Sequence, residues 1–443
     1  MPAPVSTTAP DPSRLPRHLG TWNAALLLVT YTIGVGILQS PSVVVAKTGG
    51  IPLAYAAWVV GAVAALCGAF VMAELAVRTP RSGGTAVYLR QAFGPRVAFM
   101  FGWTSLFLTP VATAAITLVS VRNLGAILGF GESVQIALGL AWVGGITLLN
   151  LRSSKLVVRI VGGVGIFKIS ALATVVVLCF AGNGATPAAA PVLPPAVDSI
   201  WVGFGLAVIA TMFAYDGWDG LALVAGEVRD PTRILPRATL LGMGLILTAY
   251  LAVNAGFFHA LPLGQIATTP ALAATAMGRV VGPDASQFIT AFVACSAAST
   301  VFSSLLCNPR IVFALAEEGQ FFRAVAVVHP RWKTPVVATL LYGGMTMLYI
   351  ASGSGFERLT RYMVLGFLPF YGLVAIAAVL ARRKAAATGF AMPLYPLPVV
   401  FMLGYVACGI ASGFAGDAWA SAGGLVIIGA GALVYEISQR MRR

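Results

Sequence analysis

Residues Tyr31 to Pro41 read YTIGVGILQSP, inside an apolar run that starts near Thr21 and is long enough to cross a bilayer. Glycine within a helix costs about 1 kcal/mol relative to alanine, so Gly34 and Gly36 mark a place where the helix is expected to open. The rest of the chain says what that opening sits in. Of 443 residues, 58% are hydrophobic and 9% charged, with a mean hydropathy of +0.89. That composition belongs in lipid rather than in water.

About twelve apolar runs meet the ~20-residue length that a roughly 30 Å hydrocarbon core demands. They cover 21–46, 51–77, 97–121, 134–151, 156–181, 200–226, 238–260, 286–309, 335–352, 361–381, 393–413 and 419–438. Barrel strands would be about half as long and would alternate in polarity, so the predicted class is an all-α polytopic membrane protein. The first twenty residues are proline-rich and polar, carry Arg14, Arg17 and His18, and lack the apolar core and cleavage pattern of a signal peptide.

The formal charge of +14 is distributed by loop. Arg78, Arg81, Arg90 and Arg96 fall between spans 2 and 3; Arg152, Lys155 and Arg159 between spans 4 and 5; Arg229, Arg233 and Arg237 between spans 6 and 7. The same side receives Arg310, Arg323, Arg331 and Lys333, then Arg382, Arg383 and Lys384, then Arg440, Arg442 and Arg443. Only Lys47, Arg122, Arg279, Arg358 and Arg361 fall on the other side. By the positive-inside rule both termini are expected in the cytoplasm. The charge is thus a topology signal, and the expected partner is the lipid bilayer, with no nucleic acid. Cys67, Cys179, Cys295, Cys307 and Cys408 lie within or at the ends of spans without metal-type spacing, and read as packing residues. The sequence has no zinc motif, nucleotide loop or catalytic triad, so no metal, no cofactor and no enzyme activity are expected.

A second span is also interrupted. Span 6 contains FAYDGWDG, Phe213 to Gly220. The Gly/Pro/Ala segment AGNGATPAAAPVLPPAVDS, Ala181 to Ser199, separates spans 1 to 5 from the rest. Interrupted helices at matching places in two halves point to an inverted-repeat transporter with its binding site at the breaks. The expected organisation is a cytoplasmic tail over 1–20, a first repeat over 21–181, an outer loop over 182–199, a second repeat over 200–381, and two further helices with the C-terminus over 382–443. Amide groups at the start of a half-helix attract a carboxylate, and freed carbonyls accept from an ammonium. An α-amino acid carries both. The competing reading of Gly34 and Gly36 is close helix packing.

Several stretches together resemble the amino acid–polyamine–organocation family, and within it the L-type amino acid transporters and their bacterial relatives. TIGVGILQSP (Thr32 to Pro41) is similar to the family's break in helix 1. AELAVRTPRSGGTAVYLRQAFGPRVAFMFGW (Ala73 to Trp103) is similar to its helix 2–3 loop, FAYDGWDGLALVAGEVRDPTRILPRA (Phe213 to Ala238) to helix 6 and its loop, and NPRIVFALAEEGQFF (Asn308 to Phe322) to the end of helix 8. The resemblance implies two inverted five-helix repeats with broken helices 1 and 6, a leucine-transporter-like fold, plus two C-terminal helices. It also implies an amino acid carrier. Gly34, Val35 and Gly36 would present amides to the substrate carboxylate, and carbonyls near Tyr31 to Ile33 and Phe213 to Ala214 would receive the ammonium. Phe213 would close over the substrate.

Lys168 lies nine residues after Arg159, about 13 Å deeper along a helix rising ~1.5 Å per residue. A lysine at that depth costs about 2.5 to 3.5 kcal/mol on insertion scales, so a partner is expected. The resemblance implies that it replaces the sodium ion of related carriers, touching the helix 1 break and helix 8, where Ser299 and Thr300 are the candidates. Asp216 either pairs with a cationic substrate side chain or stabilises the start of the second half-helix, and Asp219 reads as a helix cap. Gly217 and Ser296 are candidates for the side-chain pocket. Glu227 is expected to pair with Arg229 or Arg233, since Gly226 stands where the family pattern has a second acid.

Animal L-type members couple through a cysteine in the loop between helices 3 and 4, and Arg122 to Ser133 has none, so no disulfide-linked heavy subunit is expected. The short tails also resemble those of bacterial members, so a bacterial inner membrane is expected. The leading expectation is sodium-independent exchange of neutral L-amino acids by alternating access, extended to cationic ones if Asp216 reads the side chain. Alternatives are a proton-coupled amino acid or amine symporter, in which a group such as Lys168 titrates, and a transporter-like amino acid sensor. A channel would want rings of like charge.

Overall fold

The computed structural model describes residues 15–34, 36–152, 154–182, 199–269, 272–352, 357–384 and 389–442. Val35, and most of the segment 182–199 between the two halves, lie outside the described residues. Nine of the described helices are long and apolar enough to cross a membrane. A tenth crossing, span 1, is the pair Thr21–Thr32 and Gly36–Thr48, bent by 48° at its break. Two shorter apolar helices, Ile200–Tyr215 in span 6 and Val336–Ala351 in span 9, complete the twelve expected.

The predicted boundaries differ most in span 7, which starts at Pro231 rather than at 238, and in span 3. That helix runs Pro95–Leu128, beyond the predicted 97–121, because Arg122 to Leu128 is mostly helix-favouring residues and the Asn123 amide donates back to the Val119 carbonyl (2.8 Å). Span 8 is Pro283–Cys307, then Asn308, then Pro309–Glu317. Pro309 has no N–H to continue the ladder.

Spans 1 and 6 run through the middle of the bundle. Leu27, Leu28, Val29, Ile33 and Ile37 of span 1 are all within 1% of complete burial. A Cβ built on Gly36 would stand 2.7 Å from the Ala214 Cα and 3.2 Å from the Phe213 carbonyl oxygen. Only glycine lets the two backbones pass this closely, so close packing is part of what Gly36 does.

The arginine-rich ends of the helices are clasped by buried acids. Glu74, 1% exposed, accepts from Arg78 Nε (3.1 Å), Arg382 Nε (2.8 Å) and the Met392 amide (2.8 Å), joining the ends of spans 2 and 10 to the segment before span 11. Glu318 pairs with Arg81 and Arg90. The expected partners of Glu227 are corrected: its carboxylate accepts from Arg310 Nε at 2.9 Å, with both side chains nearly sealed from water. Arg233 instead faces Asp230 at 3.8 Å. The segment after span 6 folds back under the bundle and turns Glu227 toward the first turn of Pro309–Glu317. The Glu227 carbonyl also accepts the amides of His18 (2.8 Å) and Leu19 (2.9 Å), which ties down the chain entering span 1.

Candidate functional site

The first half of span 1 ends on the Ile33 amide, which reaches the Val29 carbonyl at 2.7 Å before Ile33 turns extended (φ −72°, ψ 99°). A helix end leaves carbonyls without intrahelical partners. Here side chains from distant spans take several of them. Lys168 is fully buried and donates to the carbonyls of Thr30 (3.1 Å) and Ile33 (2.5 Å) and to the Thr300 hydroxyl (2.9 Å). An ammonium has three N–H groups, so all of them are used within the protein. Tyr250, in span 7, donates to the carbonyls of Thr32 (3.2 Å) and Ala214 (3.0 Å). One hydroxyl thus fastens the break of span 1 to that of span 6.

In span 6 the helix ends at Tyr215, Asp216 leaves it (φ −56°, ψ 141°), and Gly217 adopts φ +106°, a left-handed conformation that favours glycine. The chain resumes as Gly220–Leu223. Asp219 holds the N-cap position expected of it, but its side chain makes no cap hydrogen bond.

Between the two breaks lies a cavity of about 510 Å³. Of the residues singled out from sequence, Tyr31, Thr32, Gly34, Gly36, Phe213, Asp216, Gly217, Asp219 and Thr300 line it. The Phe213 side chain is 65% exposed, and the cavity is where it points. Ile33, Ala214 and Lys168 stand behind the wall, each exposed by 1% or less. The structure brings Lys168 to Thr300 but not to Ser299, whose hydroxyl donates to the Ser296 carbonyl of its own helix (2.7 Å). Ser296, 1% exposed, is not a lining residue.

Sequence reading did not single out Tyr250, Asn308, Tyr342, Tyr371 or Tyr405. Asn308, Tyr371 and Tyr405 line the cavity, while Tyr250 and Tyr342 are buried beside it. A tyrosine in an apolar run looks like packing, and its partner is visible only in space. The polar Asn308 next to Pro309 was the one available signal.

The arrangement offers the start of the half-helix Gly36–Thr48 beside the bend at Gly34, the carbonyl-rich end of the first half-helix at Thr32, and two carboxylates, Asp216 and Asp219. A zwitterion with a variable side chain fits those groups.

A family profile described as amino acid permease matches residues 19–428. The serine/threonine exchanger SteT of Bacillus subtilis is 26% identical over 398 residues, covering 88% of this chain and 90% of its own. The human b(0,+)-type amino acid transporter 1 is 28% identical over 409 residues (90% and 83%), and the human cystine/glutamate transporter 27% over 397 residues (88% and 78%). In fold, the chain is similar to Mhp1, a nucleobase-cation-symport-1 family transporter solved in a closed conformation with bromovinylhydantoin bound, with a TM-score of 0.61 over 97% of this chain and 95% of that one at 14% identity. The twelve crossings, their two matched breaks and this likeness give the leucine-transporter-like fold, and the chain belongs to the amino acid permease family.

Proposed function

We propose that this permease exchanges L-amino acids across a bacterial inner membrane by alternating access, without sodium. The substrate carboxylate docks on the amides at the start of Gly36–Thr48, and its ammonium is received by backbone carbonyls near Tyr31 to Ile33 and Phe213 to Ala214. Phe213 covers it. In this reading the repeats are 21–181 and 200–381, both termini are cytoplasmic, and no heavy subunit is disulfide-linked. The names of the relatives, three amino acid exchangers or transporters, support the substrate class.

The observation that carries the reading is the set of three bonds of Lys168. Two carbonyls and a hydroxyl between the span 1 break and span 8 are oxygen ligands of the kind that a sodium ion would need. The ammonium already occupies them. Uptake of labelled leucine and arginine into proteoliposomes should therefore be unchanged when sodium is replaced by choline. A tenfold fall would refute the role given to Lys168.

A second reading, proton-coupled uptake of an amino acid or amine, is favoured by one observation: Asp216 and Asp219 face the cavity and, among the described residues, no Lys, Arg or His lines it. Uptake driven by an imposed pH gradient, with no amino acid inside, would establish it.

A further inference from the structure

The half-helix Gly36–Thr48 carries Gln39 in its first turn, and Gln39 is exposed and lines the cavity. It stands three residues past Gly36, about 4.5 Å along the axis at ~1.5 Å per residue, on the same face of the helix. Helical side chains lean toward the N-terminus and cover the turn before their own Cα. The Gln39 carboxamide therefore leans over the amides at the start of the half-helix, which have no intrahelical acceptor. Its own donors and acceptor have no hydrogen-bond partner among the described residues.

On the side of the breaks away from the arginine-rich ends, spans 3 and 6 line the cavity with Ile116, Val119, Ile209, Ala210 and Met212. These side chains offer no hydrogen bond, so a polar group of the substrate on that side meets Gln39. A second polar atom marks the break itself as a place for a ligand. Thr32, 4% exposed, lines the cavity, and its Oγ1 has no hydrogen-bond partner among the described residues, which a buried hydroxyl requires. Of the two charged groups of an amino acid, the ammonium goes to the carbonyl-rich end of Thr21–Thr32 and the carboxylate to the amides under Gln39. A carboxylate accepts hydrogen bonds and donates none, so it takes the N–H end of the carboxamide.

We propose that Gln39 is a specificity-determining residue: its carboxamide N–H donates to the carboxylate docked at the start of Gly36–Thr48, and so favours amino acids over the amines that lack that group. This role rests on the amino acid reading above and adds a side chain to a carboxylate site otherwise built of backbone. The bond is charge-assisted and stands against an apolar wall, which makes it stronger than the same bond in bulk water.

Leucine and 3-methylbutylamine share a side chain, as do arginine and agmatine, and the members of each pair differ by the carboxylate alone. The test is competition by each pair against uptake of labelled leucine and labelled arginine by the full-length protein in sodium-free proteoliposomes. Gln39→Glu keeps the shape of the side chain and sets a carboxylate against that of the substrate. The inhibition constant of the amino acid should rise about tenfold or more, while that of its amine stays level or falls. Gln39→Leu removes the donor without adding charge, and should raise the constant of the amino acid about fivefold with the amine unchanged. A side chain that merely shapes the entrance would shift amino acid and amine alike. A ratio of the two constants within about twofold of the wild type in both variants overturns the role of Gln39 and, with wild-type uptake intact, leaves the carrier reading standing. If Gln39→Glu does not fold, the ratio in Gln39→Leu decides. Wild-type protein that moves neither label, or that takes the amines as readily as the amino acids, removes both.

Discussion

Gly34 and Gly36 are two residues apart and face different demands. A methyl at Gly36 would be driven to 2.7 Å from the Ala214 Cα, whereas one at Gly34 would meet nothing closer than the Thr300 hydroxyl at 3.6 Å. Gly36→Ala should therefore lower stability by about 1–3 kcal/mol, the usual cost of overpacking, and reduce transport with it. Gly34→Ala should keep the thermal midpoint of the wild type and weaken amino acid binding, because the methyl intrudes on the amides proposed to hold the carboxylate. Thermal melts in detergent together with binding measurements check both, and equal destabilisation by the two would contradict the assignment. At this scale the sequence made visible what breaks a pattern: glycines in an apolar run, a lone lysine at mid-depth, acids at a helix break. It did not reveal Tyr250, whose hydroxyl joins carbonyls at Thr32 and Ala214, 218 and 36 residues away in sequence. Nothing local distinguishes it from a packing tyrosine.

At the scale of elements, the breaks of spans 1 and 6 were legible because both interrupt apolar runs and recur at matching places in the two halves. The contacts that hold the element ends were not. Glu227 was assigned to arginines two and six residues away, whereas its partner, Arg310, comes from span 8. Proximity in sequence is a poor guide where a loop folds back under a bundle. Removing one member of a buried ion pair leaves the other charge uncompensated and costs about 3–5 kcal/mol, while replacing both by apolar residues of similar size is often neutral. Glu227→Gln and Arg310→Met should each lower stability by about that amount, and Glu227→Leu with Arg310→Met should recover most of it. Denaturation of the purified variants would show this, and additive losses in the double variant would contradict it.

Across the whole molecule, ion pairs of the described residues gather at the arginine-rich ends of the helices, where Glu74 holds Arg382 of span 10, Glu227 of the segment after span 6 holds Arg310 of span 8, and Glu318, just past span 8, holds Arg90 of the helix between spans 2 and 3. The cavity lies between the two breaks, beyond those clasps. The sequence foretold the apolar helices, nine of which are long enough to cross a membrane among the described residues, with the bent pair of span 1 and two shorter helices making up the twelve expected, and the likeness to transporters of this fold. It could not foretell the shape of the side-chain pocket, which is assembled from spans 1, 3, 6, 8, 10 and 11 together. Exchange is the activity proposed for this build. Proteoliposomes containing the protein, free of sodium, should take up labelled leucine or arginine several-fold faster when preloaded with unlabelled amino acid than when empty. Uptake that ignores the preload, or that occurs only under a pH gradient, would contradict it.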